Sequence, residues 1–369
     1  MSQAYLIYAA PANDANLFHW GKFWAPDPFL AIKTEGHNIA VVTMLEYARC
    51  KSTSCFDTVL LWSDLVQASH CHADASGFEK VIQCLQEQYN ISSFVIPDNF
   101  PAALYEQIRR YNVQFDPHYF QTQRKIKNQQ ETEHVQAACH LTAQSILHAK
   151  AILQESQIGA HEQLYYQGQV LTSERLRSEI ECFCLQANGH CEGTIVSCGQ
   201  EAANPHCEGN GPLYANEFIV IDVFPRLNQY YGDMTRTFLK GQASQEQRQM
   251  LACVQQCQQE IIKRIKPGVD ARTCMQFAQT FFEQNGYGLK KTERGYEGFI
   301  HSVGHGVGID LHEYPSIANS SIQLEPNMVF TVEPGLYFEK LGGVRIEDVV
   351  QVTDDGCKLL SHCPYDWIL

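Results

Sequence analysis

Residues 173–190, SERLRSEIECFCLQANGH, have a counterpart 97 positions further on, in residues 270–287, DARTCMQFAQTFFEQNGY. Each stretch opens on a residue whose side-chain oxygen suits a helix N-cap, Ser173 or Asp270, and each stops at Asn-Gly, the pair that ends helices in a left-handed turn. Between these signals runs a mostly apolar stripe at helical spacing: Leu176, Ile180 and Cys184 in the first copy, Thr273, Phe277 and Phe281 in the second. Two readings stay open. Either the chain contains a duplication, giving two similar halves with a natural cleft between them, or two amphipathic helices merely resemble each other, as such helices do.

Working outward, both copies sit in the same kind of surroundings. Ahead of the first, apolar positions Val135, Ala138, Cys139 and Ile146, with the half-polar Thr142, mark a long helix. After it come strand-like residues 218–223 and 230–238, then a capping box, Ser244-x-x-Gln247, opening a helix that is expected to end at Lys266-Pro267-Gly268. After the second copy, residues 329–332 and 344–352 read as strands separated by Gly342-Gly343. Each half thus reads helix, helix, sheet.

The first third of the chain is built differently. Strand-like runs at residues 5–9, 39–44, 58–62 and 94–96 alternate with helical patterns at 77–89 and 102–111, which makes a small α/β domain without a phosphate-cradling glycine signature. A polar, basic run, QTQRKIKNQQ (121–130), follows it, and the sequence places the domain boundary there, giving domains 1–121 and 122–369.

Composition narrows the function. The 369 residues favour two domains, and 44% apolar with 11% aromatic side chains supplies a sizeable core and excludes global disorder. A net charge of −14, with no long Lys/Arg run against it, argues against nucleic acid and against anionic membrane surfaces as partners. Fifteen cysteines, odd in number and scattered from Cys50 to Cys363, fall mostly in helical or strand-like segments as small apolar fillers, which favours a reduced, cytoplasmic setting over a disulfide scaffold. The run AYLIYAA (4–10) resembles a signal-peptide core, but no basic residue precedes it, so it is read as a strand. No run approaches 18 apolar residues, the length needed to span a bilayer.

Five segments carry chemistry. Asp222 interrupts an apolar strand, FIVIDVF, and Asp233 follows in GDMTRTF; a hairpin centred between Leu227 and Asn228 would set the two carboxylates directly opposite each other. For either alone, the ordinary reading is a solvent-facing or turn residue. Buried together, they need a cation. The segment HSVGHGVGIDLHE (301–313) holds His301, His305 and His312 among glycines that let the backbone approach a ligand closely; extended chain would put His301 and His305 on one side and His312 on the other. Glu333 ends VFTVE, and alternation in VRIEDVV puts Arg345, Glu347 and Val349 on one face.

The ordered set of Asp222 in IDVFP, Asp233 in GDMTRTF, His305 in HSVGHGVGIDLHE, Glu333 in FTVEPGLY and Glu347 in GGVRIEDVV resembles the pita-bread metallopeptidases, closest to the Xaa-Pro aminopeptidase and prolidase branch. The resemblance runs from about Arg124 to the C-terminus, and the N-terminal domain is similar to the one this branch carries. It implies an α+β fold: a pita-bread catalytic domain of pseudo-duplicated helix-helix-sheet halves behind a smaller α/β domain. It also implies a dinuclear centre, consistent with four carboxylates balancing two divalent cations. Asp222 would bind the first metal, Asp233 and Glu347 would bridge, and His305 and Glu333 would hold the second. Manganese leads the expected metals, with cobalt, zinc or iron as alternatives. A hydroxide held between the two metals would attack the scissile carbonyl. Glu333 would also carry the proton to the leaving amine, while His206, in NPHCEGN, and His312 would donate to the developing oxyanion. His301 resembles a substrate-pocket histidine, and Arg345 a partner that orients the ligands.

The implied substrate is a peptide with proline at position two, and the implied assembly a homodimer. Prolidases commonly place an arginine shortly after the HE motif to grip a dipeptide's carboxylate. This chain reads HEYPS, with Ser316 there, which turns the expectation toward an aminopeptidase acting on longer peptides, with prolidase as the alternative. Methionine aminopeptidases share the five ligands but usually lack the N-terminal domain. Relatives that have lost the ligands as binding modules, or that hydrolyse creatine without metal, would show substitutions at the five positions, and here all five keep ligand chemistry.

Overall fold

The computed structural model describes residues 2–293 and 295–369, and the chain divides into two compact units, Met1–Arg124 and Lys125–Leu369. In the first, six strands form one mixed sheet in the order Thr58–Leu61, His37–Val42, Phe29–Thr34, Ser2–Ala9, Ile91–Ile96, Val113–Phe115. Alternate residues of the central strand enter different cores: Leu6 packs with Phe78, Leu85 and Phe94, whereas Ile7 packs with Trp20, Phe23 and Phe120. Both faces are therefore covered, the reason these strands read as nearly continuous apolar runs. Phe29–Thr34 and Val113–Phe115 go beyond the strands expected from sequence, while Met44 and Trp62 begin helices rather than ending strands. The helix expected to reach Tyr111 stops at Ile108 and tightens into a 3₁₀ turn.

The second unit repeats helix, helix, sheet. Its first half holds helix Gln129–Glu155, helix Ser173–Gln186 and a sheet of Ile195–Cys198, Ile219–Val223 and Met234–Phe238. The second half holds helices Gln245–Ile262 and Arg272–Gln284 and a five-stranded sheet in the order Glu313–Ile317, Gly304–Gly306, Val329–Val332, Asp348–Val352, Cys357–Leu359. Each half has its own core, one around Ile146, Ile180, Val196 and Ile221, the other around Val254, Ala278, Phe330 and Val350.

The repeat is real in its architecture, but its register is 98 residues rather than 97. Leu176, Ile180 and Cys184 are buried in the first copy, and Cys274, Ala278 and Phe282 in the second, while Thr273 is exposed. The caps differ accordingly. Thr172, not Ser173, accepts the Arg175 N–H at 3.2 Å, and Asp270 stands one residue outside the N-cap Ala271 with its Oδ1 accepting from Arg272 N. The capping box at Ser244 and Gln247 forms, but its helix ends at Ile262, before the Lys266-Pro267-Gly268 turn.

Gly342-Gly343 does not separate strands: it opens the strand Gly342–Arg345, which pairs with Gly335–Phe338. A Cβ at Gly343 would lie 1.8 Å from the Ala202 carbonyl oxygen, so the glycine permits this strand to lie against the Gly199–Ala203 turn. All fifteen cysteines are free thiols, nine of them buried, in keeping with small apolar fillers. Among the described residues no helix is long and apolar enough to cross a membrane.

Candidate metal centre

Asp222 and Asp233 enter the site from a hairpin whose turn is Asn228-Gln229, both at positive φ (+52° and +68°), the pattern of a two-residue I′ turn. The turn is one residue later than the sequence suggests, because Asn at the first left-handed position is more decisive than the symmetry of the apolar runs. Asp222 consequently faces Thr235 across the ladder, not Asp233. The two aspartates remain on one side, offset diagonally, since Asp233 and Thr235 are two residues apart.

The other half supplies His305, Glu333 and Glu347 from the ends or interruptions of its strands. The Nε2 of His305 lies 3.4 Å from Glu333 Oε1 and 3.6 Å from Asp233 Oδ2, and donor atoms of Asp233, His305 and Glu347 all fall within 4.8 Å of one another. These groups line a cleft of about 520 Å³ together with Asp222, His206, His301, His312 and Arg345. All nine residues singled out in the sequence thus share one cleft. One expectation fails: His312 does not point away from His305. The chain bends between Val307 and Glu313, and the two rings meet edge to face with centroids 4.2 Å apart.

Electrostatics show what the cluster lacks. Burial pushes the Asp233 and Glu347 carboxyls well above their ordinary range, and mutual repulsion among the carboxylates pushes them further. Glu333 is raised by burial to about 7, with Arg345 opposing and Asp222 adding to the rise. Burial lowers His305 to about 4, so its imidazole is neutral at pH 7. Its Nδ1 meets the Gly306 carbonyl at 3.2 Å and so carries the hydrogen, which leaves the Nε2 lone pair directed at carboxylate oxygens. Among the described residues Asp222 Oδ1 is buried with no hydrogen-bond partner. Acceptors facing acceptors in a buried site fit a cation between them, and the oxygen-rich set with one imidazole suits a divalent ion.

Around this cluster stand groups that the sequence patterning does not single out. Thr235 donates to Glu347 Oε2 at 2.6 Å and accepts from Arg345 Nε at 3.0 Å. Thr331 accepts the His305 N–H at 3.0 Å and donates to Glu333 Oε1 at 3.3 Å. Each threonine is two residues from a carboxylate in an extended chain, so alternation alone would have found both. Arg345 reaches Asp222 Oδ2 at 2.7 Å and also donates to the Tyr337 hydroxyl at 3.0 Å. That hydroxyl meets His301 Nε2 at 2.9 Å, while His301 Nδ1 meets the Ser302 carbonyl at 2.7 Å. Both ring nitrogens of His301 are therefore engaged within the protein, and burial lowers its pKa to about 3. It lines the cleft as a neutral ring. Nothing in the spacing around Tyr337 signals its part.

The sequence model of metallopeptidase family M24 matches residues 133–354. A Xaa-Pro dipeptidase of Pyrococcus furiosus is 32% identical over 243 residues, which are 64% of this chain and 63% of that protein, so the match spans less than two thirds of the relative. Two solved structures share the fold over the whole chain: the Xaa-Pro dipeptidase from Bacillus anthracis, with a TM-score of 0.84 at 20% identity over 100% of this chain and 95% of that one, and the X-Pro aminopeptidase from Thermotoga maritima, with 0.82 at 22% over 100% and 98%. With the family model covering well over half of its length, the chain belongs to metallopeptidase family M24.

Proposed function

We propose that the chain is an Xaa-Pro peptidase that uses two divalent cations to hydrolyse the bond before a proline at position two, with Xaa-Pro dipeptides as its substrates. The observation that carries the metal-dependent reading is the lone pair of neutral His305 directed into the carboxylate cluster beside the orphaned Asp222 Oδ1. Asp222, Asp233, His305, Glu333 and Glu347 would hold the ions, manganese first among them. Once bound, the cations supply the Lewis acidity that brings the pKa of a water down to about 7.

The chain's own residues do the rest. Glu333, steadied by Thr331, takes a proton from the attacking water and passes it to the leaving amine. His206 and His312, on the cleft wall, donate to the carbonyl oxygen as negative charge develops there. Arg345 fixes Asp222 and, through Thr235, the Glu347 carboxylate.

Relatives named as Xaa-Pro dipeptidases support the dipeptide. A second reading, cleavage of longer Xaa-Pro peptides, is favoured by one observation. Ser316 pairs with His305 across the ladder and thus shares its side of the sheet, and a serine there offers no cation to a dipeptide's carboxylate. Protein stripped with chelator and reloaded with manganese, cobalt or zinc separates the readings. Metal-dependent cleavage of an Xaa-Pro dipeptide over an Xaa-Pro-Yaa tripeptide is expected. Preference for the tripeptide moves the assignment to an aminopeptidase, preference for Met-Ala-Yaa removes the proline specificity, and no cleavage with any metal overturns the enzyme reading.

A further inference from the structure

We infer that Lys127 is a positioning residue, whose buried ion pair with Glu313 fixes the loop that carries His312 into the cleft. By composition Lys127 belongs to a polar linker, yet it is 3% exposed, and its Nζ meets Glu313 Oε1 with both side chains at most 2% exposed. The loop closes on this pair. Glu313 Oε2 accepts the Asp310 N–H at 3.4 Å, Gly308 N–H donates to the Asp310 carbonyl at 3.1 Å, and the Gly308 carbonyl accepts from Tyr231 N at 2.7 Å. A Cβ at Gly308 would lie 2.5 Å from Glu313 Oε1 and 2.9 Å from Lys127 Cε, so the glycine leaves room for the pair.

The consequence falls on His312, the neighbour of Glu313. Its ring is packed against His305 but has no hydrogen bond to hold it among the described residues, so the backbone of the loop decides where it stands. Glu313 in turn lies opposite Gly306 in the ladder, next to His305. A buried carboxylate deprived of its cation does not stay in place: it takes up a proton or moves toward water, and the loop wrapped around it moves with it.

The role of His312 as a donor rests on the proposed peptidase reading, so the test has two arms. In the first, histidine ring signals are followed by NMR in the metal-free protein, with those of His312 and His301 assigned by substitution. K127M should shift the His312 signal and leave His301 unmoved, and K127R should restore it. This arm needs no substrate. In the second, K127M should lower kcat roughly ten- to hundredfold with KM little changed, part of what a full oxyanion donor is worth, and the loss should vanish in an H312A background. An unmoved His312 signal, or the same loss in both backgrounds, overturns the inference. If K127M does not fold, K127M/E313Q, which removes both charges of the pair, carries both readouts.

Discussion

Glu347 and Asp348 are consecutive carboxylates, 2% and 0% exposed, and they face opposite electrostatic worlds. Asp348 is neutralised on every side. Its Oδ1 accepts from Arg236 at 2.8 Å and Ser361 at 2.9 Å, and its Oδ2 from Gln258 at 2.7 Å and Tyr365 at 2.8 Å. Glu347 has the Thr235 hydroxyl but feels the charges of Glu333 and Asp222, and its own charge in turn repels Asp233. The fold therefore contains a buried acid that it satisfies by itself and, one residue away, a buried acid that it does not. The two are mechanically joined: Arg236 also donates to the Glu347 carbonyl at 2.7 Å and the Thr235 carbonyl at 3.0 Å. A satisfied network behind the site holds an unsatisfied one in place, and the deficit is what a cation can fill.

Charge removal should have opposite signs on the two sides. Arg236→Met strands Asp348 and should destabilise the protein by about 3–5 kcal/mol, read from denaturant unfolding. A loss below about 1 kcal/mol would mean that the network is incidental. Asp233→Asn, in contrast, relieves repulsion. In chelator-treated protein at pH 8 it should stabilise by roughly 1–3 kcal/mol, while abolishing the rise in melting temperature that manganese gives the parent protein. If Asp233→Asn instead destabilises the metal-free fold, the front cluster is not under electrostatic strain and the contrast with Asp348 breaks down.

Asp222 and His305 are legible in the sequence because each breaks a pattern, a carboxylate inside an apolar strand and a histidine among glycines, whereas Asp233, Glu333 and Glu347 stand out only as members of the ordered motif set that resembles the pita-bread metallopeptidases. The halves are legible because helix caps and apolar stripes are local signals. What escapes is what depends on exact register or distant partners. One residue of hairpin register changes the partner of Asp222 from Asp233 to Thr235, and one residue of repeat register changes the buried helix face. Lys127 and Arg236 look like ordinary surface cations, since the carboxylates that bury them lie 186 and 112 residues away. Tyr337 joins Arg345 to His301 only because two strands pair, and the sequence carries no sign of it.

The smallest effect probes how complete the rear network is. Tyr365 donates to Asp348 Oδ2, and burial, with the charge of Asp348 adding to it, raises the Tyr365 phenol above its ordinary range. Tyr365→Phe at pH 8 should cost about 1.5–3 kcal/mol, the usual worth of a hydrogen bond to a charged group. Because the folded pKa lies above the unfolded value near 10, the stability that Tyr365 contributes is complete below pH 10 and is lost as pH rises beyond it. The unfolded chain then ionises this phenol while the folded one keeps its proton. The difference between parent and Tyr365→Phe should therefore shrink by about 1.4 kcal/mol for each pH unit above 10. Melting curves of both proteins at pH 8 and pH 11 measure it. A difference that stays constant would show that the hydroxyl does not depend on Asp348, and that the carboxylate behind the site is held by Arg236, Ser361 and Gln258 without it.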